Sequence, residues 1–150
     1  MANTLYDRDF YAWTMQTVKA LREKAFDKVD IEHLVEEVES MGKSDFRELK
    51  SRLIVLIAHL LKWEYQESQR STSWQGTIRE QRNSIEDVLE DSPSLYRLLE
   101  GLMTEDKLYA RAVNLAALET GIAKKAFPEH CPYTVAQLLN HDFLPTDDLE

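Results

Sequence analysis

Residues 59–82, HLLKWEYQESQRSTSWQGTIREQR, contain the side chains of this chain best suited to bind a ligand or a partner. A hairpin of two helices that turns near residue 71 would bring them together at one end. They could then form a polar pocket with an aromatic rim, able to hold a small anionic ligand or an acidic side chain of a partner protein. The predicted ligand or partner surface consists of His59, Lys62, Gln66, Arg70, Trp74, Arg79 and Arg82.

The alternative for this segment is a joint between packed helices. The carbonyls of the last helical turn need hydrogen-bond donors, and Gln, Arg and Trp side chains can supply them. The sequence favours this structural interpretation over the pocket.

A second group of candidate residues lies at His33 and Glu37, four positions apart on a predicted helix, with Glu36 between them. Metal sites in helical bundles combine such pairs from facing helices. Since no second helix repeats the spacing, a solvated acidic face is favoured, and a metal at His33 and Glu37 is the speculative alternative.

Cys131 follows His130 in the stretch FPEHCPY, which invites a nucleophile and base interpretation. Adjacent side chains rarely face each other, and a cysteine between two prolines is more often a packed apolar group. The chain has no phosphate-binding glycine loop, no paired-cysteine ligand set and no serine nucleophile motif. We therefore predict no catalytic residue and no cofactor.

The charge is strongly acidic but uneven. The chain has 18 basic and 27 acidic residues and a net charge of −9, whereas residues 50–82 carry six basic and three acidic side chains. An acidic surface repels phosphates, so nucleic acid is an unlikely partner, and binding through the basic segment 50–82 is the weakest alternative.

Four glycines and four prolines in 150 residues favour a few long helices over many short strands. Apolar spacing predicts a first helix over residues 8–25 with an apolar side at Phe10, Trp13, Val18 and Leu21. A second helix runs from Asp30 to an indicated stop at Gly42, with Ile31, Leu34, Val35, Val38 and Met41 on one face. The sequence leaves open whether this helix continues through Gly42 into the next. A long central helix near residues 44–68 then carries two adjacent apolar seams, which indicates burial against several partners.

Capping signals divide the rest of the chain. The predicted signals are Asp7 for the first helix, a Thr72–Gln75 capping box, Ser92 with Pro93, a break at 104–106, and a Thr134–Gln137 capping box. The fold class is therefore all-α: a single-domain bundle of about five to six helices over residues 1–150, with a short acidic C-terminal tail. One cysteine, acidic residues near the N-terminus and no apolar run of membrane length lead us to expect a cytoplasmic location without membrane contact.

The strings YDRDFYAW, IEHLVEEVESMGKS, LIAHLLKWEYQ, SWQGTIREQR, DSPSLYRLLE and FPEHCPYTVAQLLNHDFLP resemble the domain of unknown function 29 family in order and spacing. The resemblance covers about residues 5–145. It implies a small all-helical bacterial protein of a type abundant in cyanobacteria. The resemblance does not indicate any particular activity, cofactor or catalytic residue.

The expected function is that of a non-enzymatic helical interaction protein of the bacterial cytosol, which binds another protein or itself. Charge asymmetry and the missing catalytic motifs both favour it. The alternative is an enzyme or a small-ligand protein that uses the His59–Arg82 cluster.

Overall fold

The computed structural model describes residues 4–145, which form seven α-helices joined by loops and short 3-10 turns, and no strand occurs among them. The helices are α1 (Leu5–Arg8), α2 (Phe10–Arg22), α3 (Ile31–Tyr65), α4 (Thr72–Asp91), α5 (Tyr96–Thr104), α6 (Asp106–Thr120) and α7 (Val135–Leu139). The all-α prediction is confirmed. The predicted acidic tail falls on residues 146–150, outside the described part. No described helix is both long and apolar enough to cross a bilayer.

The longest helix, α3, runs without a break through Gly42. Asp30 begins it as predicted, since its Oδ1 accepts the backbone N–H of His33. The stop indicated at Gly42 does not occur, and the long central helix near 44–68 is the second half of α3, which answers the question of continuity that the sequence left open. A single exposed glycine costs a helix only about 1 kcal/mol, which is too little to end one of 35 residues.

The first predicted helix, over residues 8–25, corresponds to the shorter α2, and the separate short helix α1 precedes it. Thr4 caps α1, and Asp9 caps α2 by accepting the N–H of Ala12 at 3.0 Å, so Asp7 is not the cap. The helix α2 ends at Arg22, and Lys24 follows with a left-handed φ of 59°. A non-glycine residue in that region does not continue a helix.

The later capping signals are mostly confirmed. Thr134 and Gln137 form the predicted capping box of α7, and the break at 104–106 separates α5 from α6. Pro93 opens a 3-10 turn after Ser92, but the Ser92 side chain makes no cap bond, because its hydroxyl donates to Asp45 Oδ2 at 2.7 Å. One cap is displaced: Ser71, not Thr72, accepts the N–H of Trp74 and begins α4.

The chain forms two compact units, the first ending at Ser44 and the second beginning at Asp45. The second unit contains one continuous hydrophobic core, built around the fully buried side chains of α3 and contributed to by α4–α7 and the loop before α7. In the first unit the buried residues are Trp13, Thr17, Ala20 and Val29. The predicted single domain stays a prediction.

Candidate functional site

The predicted cluster at residues 59–82 begins with Lys62, which lies buried against two partners. Its Nζ is 2.7 Å from Oε1 of Glu119 on α6 and 4.8 Å from the centre of the Trp74 ring on α4. Only 5% of Lys62 is exposed. The ammonium thus connects three helices and is not offered to an external ligand.

Two further members of the cluster bind carbonyls near helix ends. Gln66 Nε2 donates to the Thr120 carbonyl at 3.2 Å, at the end of α6. Arg70 Nε donates to the Trp63 carbonyl at 2.6 Å, and its guanidinium lies 5.1 Å from the centre of the Trp63 ring. Both contacts satisfy acceptors that the last helical turn leaves unpaired.

Arg82 was predicted as part of a surface, and burial excludes it from one. It is 1% exposed, and its Nε donates to the Leu138 carbonyl at 2.7 Å while Nη2 donates to the Gln137 carbonyl at 3.1 Å. Desolvation lowers the pKa of this guanidinium. Its role is to join α4 to the end of α7.

The remaining predicted residues differ in exposure. His59 is half-buried, and its Nδ1–H donates to the Val55 carbonyl at 3.0 Å; burial lowers its pKa. Trp74 is half-buried under Lys62, and Arg79 is exposed. The residues of the cluster therefore act mainly in packing α3, α4 and α6 together.

This packing also changes the meaning of the basic segment 50–82. Lys62 and Arg82 are buried, and Arg52 is half-buried beside Glu48 and Gln81. Lys50 lies over the Phe46 ring. The excess of basic residues that the sequence shows in segment 50–82 therefore does not form an exposed basic patch.

His33 and Glu37, the predicted metal ligands, lie in a hydrogen-bonded group of the first unit. His33 Nδ1 is 2.5 Å from Oδ2 of Asp30, and the His33 ring stacks on Tyr6 at 3.9 Å between ring centres. The Tyr6 hydroxyl donates to Glu37, which raises the pKa of Tyr6 to about 12. Among residues 4–145 no group of three His, Cys, Asp or Glu side chains is placed to hold a metal ion. Two ligands are too few for a structural zinc site.

Cys131 is half-buried, and its Sγ lies 3.7 Å from the Tyr133 carbonyl. Burial raises the pKa of this thiol, which reduces the thiolate that a nucleophile needs. Its neighbour His130 is exposed. The geometry favours the packed-cysteine interpretation.

A cavity of about 480 Å³ lies in the first unit beside Tyr6 and Trp13. Its lining includes the cations of Lys19 and Lys28 and the anions of Glu23 and Asp30. Opposite charges in equal number select neither an anionic nor a cationic ligand.

The most distinctive surface of the first unit is an apolar face on α2. Tyr11, Met15 and Val18 follow helical spacing, Phe10 and Leu21 flank them, and all five are exposed. Phe26, in the turn after α2, is 60% exposed. The sequence indicated an apolar side here but gave no sign that it would lie in solvent.

A second apolar face occupies the first three turns of α3. Ile31, Val35, Val38 and Met41 recur every three or four residues, and each is at least half exposed. Farther along the same helix, the same spacing at Leu49, Leu53 and Leu56 is completely covered by the core. The spacing of one seam is the same in the two halves, so that spacing alone does not separate the covered face from the exposed one; the second apolar seam occurs only in the covered half.

No curated protein and no protein of known structure shows significant similarity to this chain. The model of one protein family, described as Domain of unknown function DUF29, matches residues 5–144. That match spans nearly the whole chain and all seven helices. The chain belongs to the DUF29 family.

Proposed function

We propose that this protein is a non-enzymatic interaction module that binds a protein partner through the first-unit apolar surface. We define this surface as the exposed apolar side chains of α2, the following turn and the first three turns of α3. They are Phe10, Tyr11, Met15, Val18, Leu21, Phe26, Ile31, Val35, Val38 and Met41.

The observation that carries the proposal is the extent of this exposure. The ten side chains are between 38% and 73% exposed, in a unit whose described residues, 4–44, include four that are buried. Apolar faces of helices in soluble proteins are usually covered, and large exposed ones usually mark binding sites.

The energetics favour a bound state of this surface. Burying a large apolar side chain completely stabilises a protein or complex by roughly 1.5–3 kcal/mol. Aromatic side chains such as Tyr11 dominate many interfaces because they bury much area with few rotatable bonds. The polar cluster at 59–82 supports the proposal indirectly, since Lys62, Gln66 and Arg70 are already engaged within the second unit.

Site-specific photocrosslinking in the native cell tests the proposal. A photoreactive benzoyl-phenylalanine replaces Tyr11 or Val38, and the matched control carries it at Leu118, which is 82% exposed on α6. We expect covalent protein adducts from positions 11 and 38, and we expect Val35→Glu in the same chain to abolish them. Equal adduct yields at all three positions, or none at positions 11 and 38, would contradict the proposal.

A further inference from the structure

We infer that the partner of the first-unit apolar surface is a second copy of this chain. In the complex α2 of each copy packs against the beginning of α3 of the other. This inference rests on the proposed function and names its partner.

The first argument is complementary charge. The helix α2 carries Lys19 and Arg22 and no acidic residue between its capping residues Asp9 and Glu23. Residues 31–42 carry Glu32, Glu36, Glu37 and Glu39 and no Lys or Arg, which gives −4. A contact of the α3 beginnings with each other would bring four glutamates of each copy close to four of the other. A contact of α2 with α3 of another copy brings opposite charges together.

The second argument is matched length. The apolar face of α2 extends from Phe10 to Leu21, and that of α3 from Ile31 to Met41. At 1.5 Å per residue each face is roughly 15–17 Å long. Each copy has both faces, so two copies related by a twofold axis would make the α2–α3 contact twice. A twofold dimer is the closed arrangement most common among soluble oligomers.

The third argument is area. If a fully exposed large side chain presents roughly 150–200 Å², the ten exposed fractions add up to on the order of 900 Å² per copy. A standard stable interface buries about 800 Å² per partner. The two faces together would thus bury as much area as a stable dimer of this chain needs when the contact covers all ten side chains.

Molecular mass at several concentrations is the first test. Light scattering and sedimentation of the full-length chain between about 1 and 100 μM should show twice the chain mass of 17.5 kDa. Val38→Glu should raise the dissociation constant by at least about tenfold, because it places a charge in the apolar contact. Leu118→Glu also replaces a nonpolar residue with an acidic one, but in the second unit, and it should leave the dissociation constant unchanged. Circular dichroism of each variant confirms its helical content.

Disulfide trapping then tests which helices meet. In a Cys131→Ala background, Met15→Cys and Val35→Cys lie near the middles of the two apolar faces, so the test holds for either helix direction. A mixture of the two variants should form the mixed disulfide faster than either variant forms a disulfide with itself. Faster self-linking of Val35→Cys would overturn the α2–α3 pairing.

The two proposals fail differently. A chain that stays monomeric at about 100 μM, while the photocrosslinked adducts contain a different protein, overturns the second copy and leaves the interaction module. A monomer that also gives no adducts from positions 11 and 38 overturns both. Adducts of twice the chain mass, containing only this sequence, support both.

Discussion

His33 and His59 lie in opposite electrostatic environments. His33 donates to the Asp30 carboxylate, which raises the pKa of the imidazole and lowers that of the Asp30 carboxyl. His59 is half-buried, and loss of hydration lowers its pKa. The two rings should therefore titrate on either side of the ordinary histidine value of 6.5.

Their contributions to stability consequently have opposite pH dependences. The contribution of His33 is complete below 6.5 and is lost as pH rises through its raised pKa. Asp30 contributes above its ordinary pKa of 3.8 and loses its contribution as pH falls through its lowered value. The contribution of His59 is present above 6.5 and is lost as pH falls through its lowered pKa.

Proton-detected titration of the imidazole resonances checks this prediction. Asp30→Asn should return the pKa of His33 toward its ordinary value and leave His59 unchanged. If His33 titrates at a lower pH than His59 in the wild type, the raised pKa of His33 and the lowered pKa of His59 would both be contradicted.

Single residues also show what sequence reasoning could not reach. Arg82 appeared to be a surface cation, but its acceptors are carbonyls more than 50 positions later in the chain. Nothing local to Arg82 encodes that contact. Lys62 is similar, because its partner Glu119 lies on α6.

At the scale of elements, two glycines have opposite backbone requirements. Gly42 lies inside α3, and a Cβ added there would meet nothing within 4 Å. Gly121 ends α6 with a φ of 80°, a left-handed conformation that L-residues adopt at a cost. The same substitution should therefore have opposite effects at the two positions.

Gly42→Ala should raise the free energy of unfolding by about 0.5–1 kcal/mol, because alanine restricts the unfolded chain and favours the helix. Gly121→Ala should lower it by about 1 kcal/mol. Urea denaturation followed by circular dichroism measures both. Destabilisation by Gly42→Ala would show that α3 is not a continuous helix at that position.

Helices with long apolar periodicity and clear caps were predictable from the sequence, because both signals are local. The central seam and the capping box at Thr134 are examples. The end of the first predicted helix and the role of Gly42 were not, because there the propensities differ by about 1 kcal/mol and tertiary context decides. The apolar face of α3 was predicted, whereas its exposure depends on what packs against it.

At the scale of the whole molecule, the two units differ in how much they bury. The second unit buries Leu56, Ile57 and Leu60 completely within one core, whereas among residues 4–44 of the first unit four are buried, Trp13 and Val29 among them. Local opening is easiest where few apolar contacts oppose it. We therefore expect backbone amides of α2 to exchange with deuterium faster than those of residues 53–61.

Hydrogen exchange measured by mass spectrometry on the intact chain checks this difference. Val38→Glu should accelerate exchange in residues 10–41 further, since it removes the proposed partner, and leave residues 53–61 unchanged. Leu118→Glu is again the matched control. Uniform protection from exchange across residues 10–61 would contradict the expectation that the first unit, with fewer buried residues, opens more easily than the second.

The contact between Arg82 and α7 has a consequence for synthesis on the ribosome. Translation delivers α4 and its guanidinium well before the carbonyls of Gln137 and Leu138 exist. Until those residues leave the exit tunnel, burying Arg82 would strand a cation without acceptors, which is costly in a dry interior. We therefore expect the core of the second unit to close around Arg82 only after α7 has left the exit tunnel.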